Sequence, residues 1–247
     1  MRSIVHVAIA CLALLAGAPS SRAETVDVVL ALVSDVSRSI TDESFALQKN
    51  GYQAAFTDPR VIAAIKGGPV GAIAVSYIEF AGAAEVKTVV GWTVIRDAAT
   101  ARDFAASVHA AQRTAWGRTA ISSGINHAMD ELAKSGHEAT RRVIDVCGDG
   151  TSNAGPALSI ARDSAVAAGV TINGLVILSE PAGPWAEAHV RPPGGLRKYY
   201  EDNVIGGTGS FALEAVNFQS FGEAMTRKLI NEIAGLQPAP TKNWAAR

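Results

Sequence analysis

The sequence predicts an α/β fold of three layers, doubly wound around a mostly parallel six-stranded sheet with one antiparallel edge strand. Three observations lead there. Short β-branched runs alternate with longer segments at helical spacing, the pattern of strands joined by crossover helices. Several of the short runs are apolar on both faces, as strands covered on two sides must be. One pair of runs is joined by only Ala81-Gly82-Ala83, too short a connection for a parallel crossover, so those two strands must pair antiparallel.

In chain order the strand candidates are VDVVLALVS (26–34), GAIAVSYIEF (71–80), EVKTVVGWTVI (85–95), RRVIDVC (141–147), VTINGLVIL (170–178) and SFALEAV (210–216). Between them, Thr41 is placed to cap DESFALQKNGYQAAF, in which Phe45, Tyr52 and Phe56 fall near one face. AATARDFAASVHAAQ and AISSGINHAMDELAKS carry the same spacing, and GPALSIARDSAVAAG begins near a proline and stops at Gly169. The last helix, FQSFGEAMTRKLINEIAG, repeats apolar residues at Phe221, Met225 and Leu229 and ends at Gly235. One long Pro/Gly-rich stretch, 179–209, interrupts the alternation; its Tyr199 and Tyr200 predict a packed helix inside it.

The chain has 247 residues, is 48% hydrophobic and carries a formal charge of −1, enough for one large core and without polyelectrolyte character. Its start reads as a cleaved secretory signal over residues 1–23: Arg2, an apolar run from Ile4 to Ala18, and a small-x-small ending at Ser21-Arg22-Ala23. That run is shorter than the ~20 residues a spanning helix needs. Cleavage takes Arg2 and Arg22 from the 22 basic residues and none of the 23 acidic ones, leaving a net charge of −3. Such a surface has no general attraction for nucleic acid or anionic lipid. Cys11 leaves with the signal, so Cys147 is alone and reads as a small buried residue at a strand end. The expected organisation is therefore signal 1–23, one domain 24–236 and a C-terminal tail 237–247, in an exported, periplasmic or secreted chain.

In an open parallel sheet, ligands bind beyond the carboxyl ends of the strands, so the polar residues that follow each strand matter most. Asp35, Ser37 and Ser39 follow the first strand. Thr119 precedes the helix that leads to the fourth, and Asp149 follows the fourth in GDGTSNAG. Two carboxylates and three hydroxyls, without sulfur or imidazole, suit a hard divalent ion, with Mg2+ expected first and Mn2+ or Ca2+ as alternatives. Five side chains leave at least one of six octahedral positions to water or to a ligand. Read alone, Asp35-x-Ser37-x-Ser39 reads as a helix cap ahead of a metal site, with Ser39 or Thr41 satisfying free N–H groups; Thr119 and Asp149 in the neighbouring loops turn the reading to metal.

This set resembles the metal-ion-dependent adhesion site of the von Willebrand factor type A (vWA) domain over roughly residues 25–235. The later segments KYYEDNVIGGTGSF and FGEAMTRKLINEIAG resemble, more narrowly, the bacterial exported DUF1194 group. The resemblance implies that Ser37 and Ser39 bind the ion directly and that Asp35 acts through water or a hydrogen bond. It implies that Thr119 and Asp149 alternate between direct and indirect coordination. An inner shell of neutral hydroxyls leaves the ion most of its charge, so the expected partner is a protein offering an Asp or Glu.

The competing reading is a metal-dependent hydrolase of phosphoester type using the same ion. It needs a base or nucleophile, and the sequence offers no G-x-S-x-G elbow. His109, His127, His137 and His189 show no ligand spacing and read as surface residues, none expected near Asp35, Thr119 or Asp149. Gly207-x-Gly209-x-x-Ala212 is a partial dinucleotide fingerprint, but a strand and not a helix is expected after it. Arg38 is expected to point outward, and Ser152 and Asn153 to serve as hydrogen-bonding loop residues.

Overall fold

Two of the sheet's strands, β1 (Val28–Asp35) and β2 (Ile73–Phe80), are buried at every residue, which is why their sequences run apolar without alternation. The computed structural model describes residues 23–181 and 183–236; the expected signal segment, apart from Ala23, and the tail 237–247 lie outside them. The remaining strands are β3 (Val86–Ile95), β4 (Arg141–Gly148), β5 (Val170–Ile177) and β6 (Ala212–Ala215), each within two residues of its expected ends. Sheet order is β3-β2-β1-β4-β5-β6, and only the β2–β3 pair is antiparallel. The short loop after β2 thus makes the edge strand that its length required.

From β1 the chain moves outward to β2 and β3, then returns to place β4 on the other side of β1. That reversal opens a crevice at the carboxyl ends of β1 and β4, where loops diverge and leave room for a ligand.

Alternation along β1 divides the core in two. Leu30 and Leu32 face Tyr52, Phe56, Phe104 and Phe221, under helices α1 (Asp42–Thr57), α2 (Pro59–Lys66), α3 (Ala98–Ala110) and α8 (Phe221–Ala234). Val29, Ala31 and Val33 face Ile125, Leu132 and Tyr200, under α4 (Ile121–Lys134), α5 (Leu158–Ala167) and α7 (Leu196–Asn203). Helix α2 has no counterpart in the sequence reading. It starts because Asp58 ends α1 and at the same time caps the next helix, accepting from the Arg60 N–H, with Pro59 at the first position. Helix α8 begins three residues later than expected, after a one-turn 3-10 segment capped by Asn217, and stops at Gly235 with φ +66°.

Within 179–209, the four-residue helix α6 (Glu187–Val190) precedes α7, whose Tyr200 is fully buried, so the packed helix expected there is present. Gly207 and Gly209 form left-handed turns that lead into β6, a strand, and the dinucleotide pattern is not met. No helix among the described residues is long and apolar enough to cross a membrane.

Between β4 and α8 lies a buried ionic cluster. The Lys228 ammonium sits 2.7 Å from Asp145 Oδ1 and also binds Glu232, with Lys228 and Asp145 fully shielded from solvent. Asn173 on β5 donates to Glu232 Oε1 at 2.8 Å and accepts from the Phe211 N–H at 3.0 Å, tying the cluster into the sheet. Burial opposes the charged ammonium, yet the carboxylates of Asp145 and Glu232 outweigh it and raise its pKa. Burial, and then the charge of Asp145, push Glu232 up to about 7.

Candidate metal centre

The turn after β1 is bent by its own aspartate. Asp35 Oδ1 accepts the Ser37 N–H at 2.7 Å, while the Val36 N–H continues the sheet by donating to Phe80 O at 2.9 Å. Arg113, from the loop after α3, holds the turn from outside: its Nη2 donates to the carbonyls of Val36 and Ser37 at 2.7 Å each. The cap of α1 is Thr41, which accepts the Ser44 N–H at 3.1 Å. Ser39 is therefore not needed as a cap, and its hydroxyl is turned to the crevice.

Thr119 is fixed through its backbone. Its N–H donates to Asn153 Oδ1 at 2.9 Å, and its carbonyl accepts the N–H groups of Asn153 (2.8 Å) and Ala154 (3.1 Å), which joins the Thr119 loop to the loop after β4. Asn153 is thus the loop hydrogen-bonder the sequence suggested, and Arg38 is exposed as expected.

All five sequence-predicted site residues converge here, and four of them form one directed chain. Thr119 Oγ1 donates to Ser37 Oγ at 3.0 Å, and Ser39 Oγ donates to Asp149 Oδ1 at 2.8 Å. Because the single Ser39 proton is spent on Asp149, Ser37 must donate across the 3.2 Å gap to Ser39. Ser179, which the sequence did not single out, donates to Asp149 Oδ2 at 3.2 Å.

The fifth residue, Asp35, is fully buried, and its Oδ2 has no hydrogen-bond partner. Burial, and then the charge of Asp149, push Asp35 up to about 7; burial likewise raises Asp149. A Cβ at Gly148 would lie 3.1 Å from Asp35 Oδ2 and 2.6 Å from the Tyr200 hydroxyl, a second buried group without a partner. Two buried carboxylates, three hydroxyls and unsatisfied oxygen make a place that fits a hard cation. Among the described residues no three His, Cys, Asp or Glu side chains cluster to hold a metal, so an ion here would draw chiefly on the hydroxyls.

The structure corrects the reading of His189. It is half-buried on α6, with Nε2 at 3.4 Å from Thr119 Oγ1, beside the site from which the sequence reading excluded histidine. Its Nδ1 meets Thr151 Oγ1 at 3.1 Å and Asn153 Nδ2 at 3.3 Å, and its carbonyl accepts the Thr151 N–H at 3.0 Å. Burial, then the charges of Arg38 and Arg118, hold its pKa below the usual histidine value. The ring fits because residue 150 is glycine: a Cβ there would stand 2.1 Å from Nε2. No spacing in the sequence links residue 189 to the strand ends, and Gly150 is the one local hint. A 440 Å3 hollow opens above the hydroxyls, with Arg38, Arg118 and His189 on its walls.

Comparison with known proteins identifies the family and the fold. A family model described as a protein of unknown function, DUF1194, matches residues 25–237. The chain belongs to the DUF1194 family. Similar solved structures include proximal thread matrix protein 1 from the mussel byssus with a zinc-occupied MIDAS motif (TM-score 0.60, 16% identity, 85% of this chain and 49% of that one). Others are a von Willebrand factor type A protein from Catenulispora acidiphila (0.57, 13%, 84% and 43%) and the pilus adhesin SpaC from Lactobacillus rhamnosus GG in its open conformation (0.56, 13%, 84% and 30%). At these identities the likeness establishes the fold: this DUF1194 chain has a vWA-like α/β fold. It spans about half the length of the mussel protein structures it matches. No similar protein is found among the curated ones.

Proposed function

We propose that this DUF1194 chain is an exported binding module in which a divalent cation, Mg2+ in the first instance, holds an Asp or Glu side chain of a protein partner. Ser37, Ser39 and Thr119 supply neutral oxygens to the ion, and Asp35 and Asp149 supply the charge around it. The observation that carries this reading is the buried, unpartnered Asp35 Oδ2 beside a second buried carboxylate whose charge raises its pKa. Such a pair is stable when an ion shares it and costly when nothing does. The zinc-occupied MIDAS motif of the mussel protein supports a divalent ion in this fold, and the SpaC adhesin supports adhesive use. Trp116, 58% exposed and stacked on Arg113 at 4.9 Å, adds a large apolar side chain next to the Thr119 loop, of the type that anchors protein interfaces.

His189 gives the hydrolase reading an observation of its own, since an imidazole beside an ion is one way to activate water. The two readings separate in one pair of experiments. Mg2+ or Mn2+ raises the unfolding midpoint of the wild type and EDTA lowers it, while Asp35→Ala is insensitive to both; unchanged midpoints in the wild type would remove the ion. Capture from envelope extract should then retain a protein with the ion and lose it with EDTA. Phosphoester turnover abolished by Asp149→Ala would favour the hydrolase instead.

A further inference from the structure

The hydrogen bonds around His189 fix which of its nitrogens carries the proton. A backbone N–H can only donate, so the Asn153 side-chain atom 2.9 Å from the Thr119 N–H is the carbonyl oxygen. The other end of that amide, 3.3 Å from His189 Nδ1, is therefore the NH2 group, which can only donate. His189 Nδ1 must be the unprotonated acceptor, a role that the Thr151 hydroxyl at 3.1 Å also serves. In the neutral ring the proton then sits on Nε2, pointing at Thr119 Oγ1 and into the hollow. Without an ion, that N–H heads the chain that runs through Thr119, Ser37 and Ser39 to Asp149.

We infer that His189 is a specificity-determining hydrogen-bond donor for the anionic group held at the ion, and not a ligand of the ion. This rests on the ion-binding reading above. At 3.4 Å the contact with Thr119 Oγ1 is long, so when that oxygen turns to a cation the Nε2–H is given up to an outside acceptor. A carboxylate bound at the ion through one oxygen offers its second oxygen to that donor. Coordination of the ion by Nε2 would require the proton to move to Nδ1, against the Asn153 amine. Turning the Asn153 amide to permit this would leave the Thr119 N–H facing a donor. The same proton excludes Nε2 as a base toward water in the hollow, which weighs against the hydrolase.

The test uses the full exported chain, Mg2+ alone, and acetyl-glutamate-amide as a side-chain carboxylate with no other charge. Nitrogen-15 spectra of the imidazole should show Nε2 protonated and Nδ1 bare with and without Mg2+; a proton on Nδ1 overturns the proposal. Calorimetry should give His189→Ala and Gly150→Ala a Mg2+ affinity within about two-fold of the wild type, because the ring neither binds the ion nor holds Thr119 once the ion is bound. Affinity of the Mg2+-loaded protein for acetyl-glutamate-amide should fall about ten-fold in both, the loss of one hydrogen bond to a charged group. His189→Gln, which keeps an amide N–H, should recover part of that loss. Gly150→Ala displaces the ring without removing it, so agreement between it and His189→Ala excludes misfolding as the cause. A Mg2+ affinity that falls with the carboxylate affinity makes His189 a ligand of the ion or a support of Thr119, and an unchanged carboxylate affinity removes its role; either overturns this proposal and leaves the ion site standing. A wild type that binds no Mg2+ overturns both.

Discussion

The domain buries two pairs of carboxylates, one beside the middle of β4 and one at its carboxyl end, and it treats them oppositely. Asp145 and Glu232 enclose Lys228, whose ammonium lies 2.7 Å from Asp145 Oδ1, so the chain brings its own cation to this pair. Asp35 and Asp149 have no ammonium or guanidinium hydrogen-bonded to them. The charge of Arg113 lowers the pKa of Asp35 to some extent, but its donors go to the carbonyls of Val36, Ser37 and Ala115, and to Asp42 at 3.4 Å. Burying charge is costly without a counter-charge, so the first pair is complete as folded and the second calls for an ion from solution. The first pair is neutralised from within the chain; on the proposed reading, the second is where the ion binds.

The largest expected effect breaks the first pair. Lys228→Met leaves two buried carboxylates facing each other and should cost about 3–5 kcal/mol in urea unfolding, while replacing all three charged residues with apolar ones should recover most of it. A Lys228→Met protein of wild-type stability would show that the cluster is not ionic. Next in size is the second pair: Mg2+ at 100 times its dissociation constant should add about 2.7 kcal/mol to the wild type. Asp149→Ala should lose that increment, and Lys228→Met should keep it.

Acid titration sharpens the same contrast. In the absence of divalent ions, Asp35 is pushed up to about 7, above its ordinary carboxylate value. The protonated form is favoured by folding, so this contribution is fully present below about pH 4, the unfolded carboxylate range, and is lost as pH rises through about 7. Glu232, also pushed up to about 7, titrates in the same direction. Asp35→Asn should therefore flatten only part of the slope, and the Mg2+ increment should grow across the same interval. A slope unchanged by Asp35→Asn would contradict the assignment. The smallest effect separates cap from ligand: Thr41→Ala should cost about 1 kcal/mol and leave the Mg2+ increment intact, whereas Ser39→Ala should reduce that increment.

The legible part of the site was the part that strand ends position. Asp35 ends β1, and Ser37, Ser39, Thr119 and Asp149 lie in loops at the same edge of the sheet; strand order alone brings such strand ends and loops together. His189 and Ser179 belong to the 179–209 stretch, whose course depends on packing and not on periodicity, so no spacing announces them. The fold was legible for a similar reason: all six strands of the central sheet are marked by composition, while the two-residue pair Glu24–Thr25 with His137–Glu138 is too short to be, and α2 was hidden because Asp58-Pro59 reads as a stop as well as a start. Lys228 and Glu232, one turn apart on α8, have the spacing of any exposed ion pair, and only the position of Asp145 beneath them makes the pair interior.

Arg113 grips the β1 turn by its backbone, through the carbonyls of Val36 and Ser37 and without touching the hydroxyls of Ser37 or Ser39. The shape of the turn and its chemistry are consequently separable. Side chains at 37 and 39 can be exchanged, for carboxylates or for alanines, on a frame that stays where it is. On the ion-binding proposal, the choice of ion and the strength with which it pulls on a partner would be tuned one residue at a time, by evolution or at the bench.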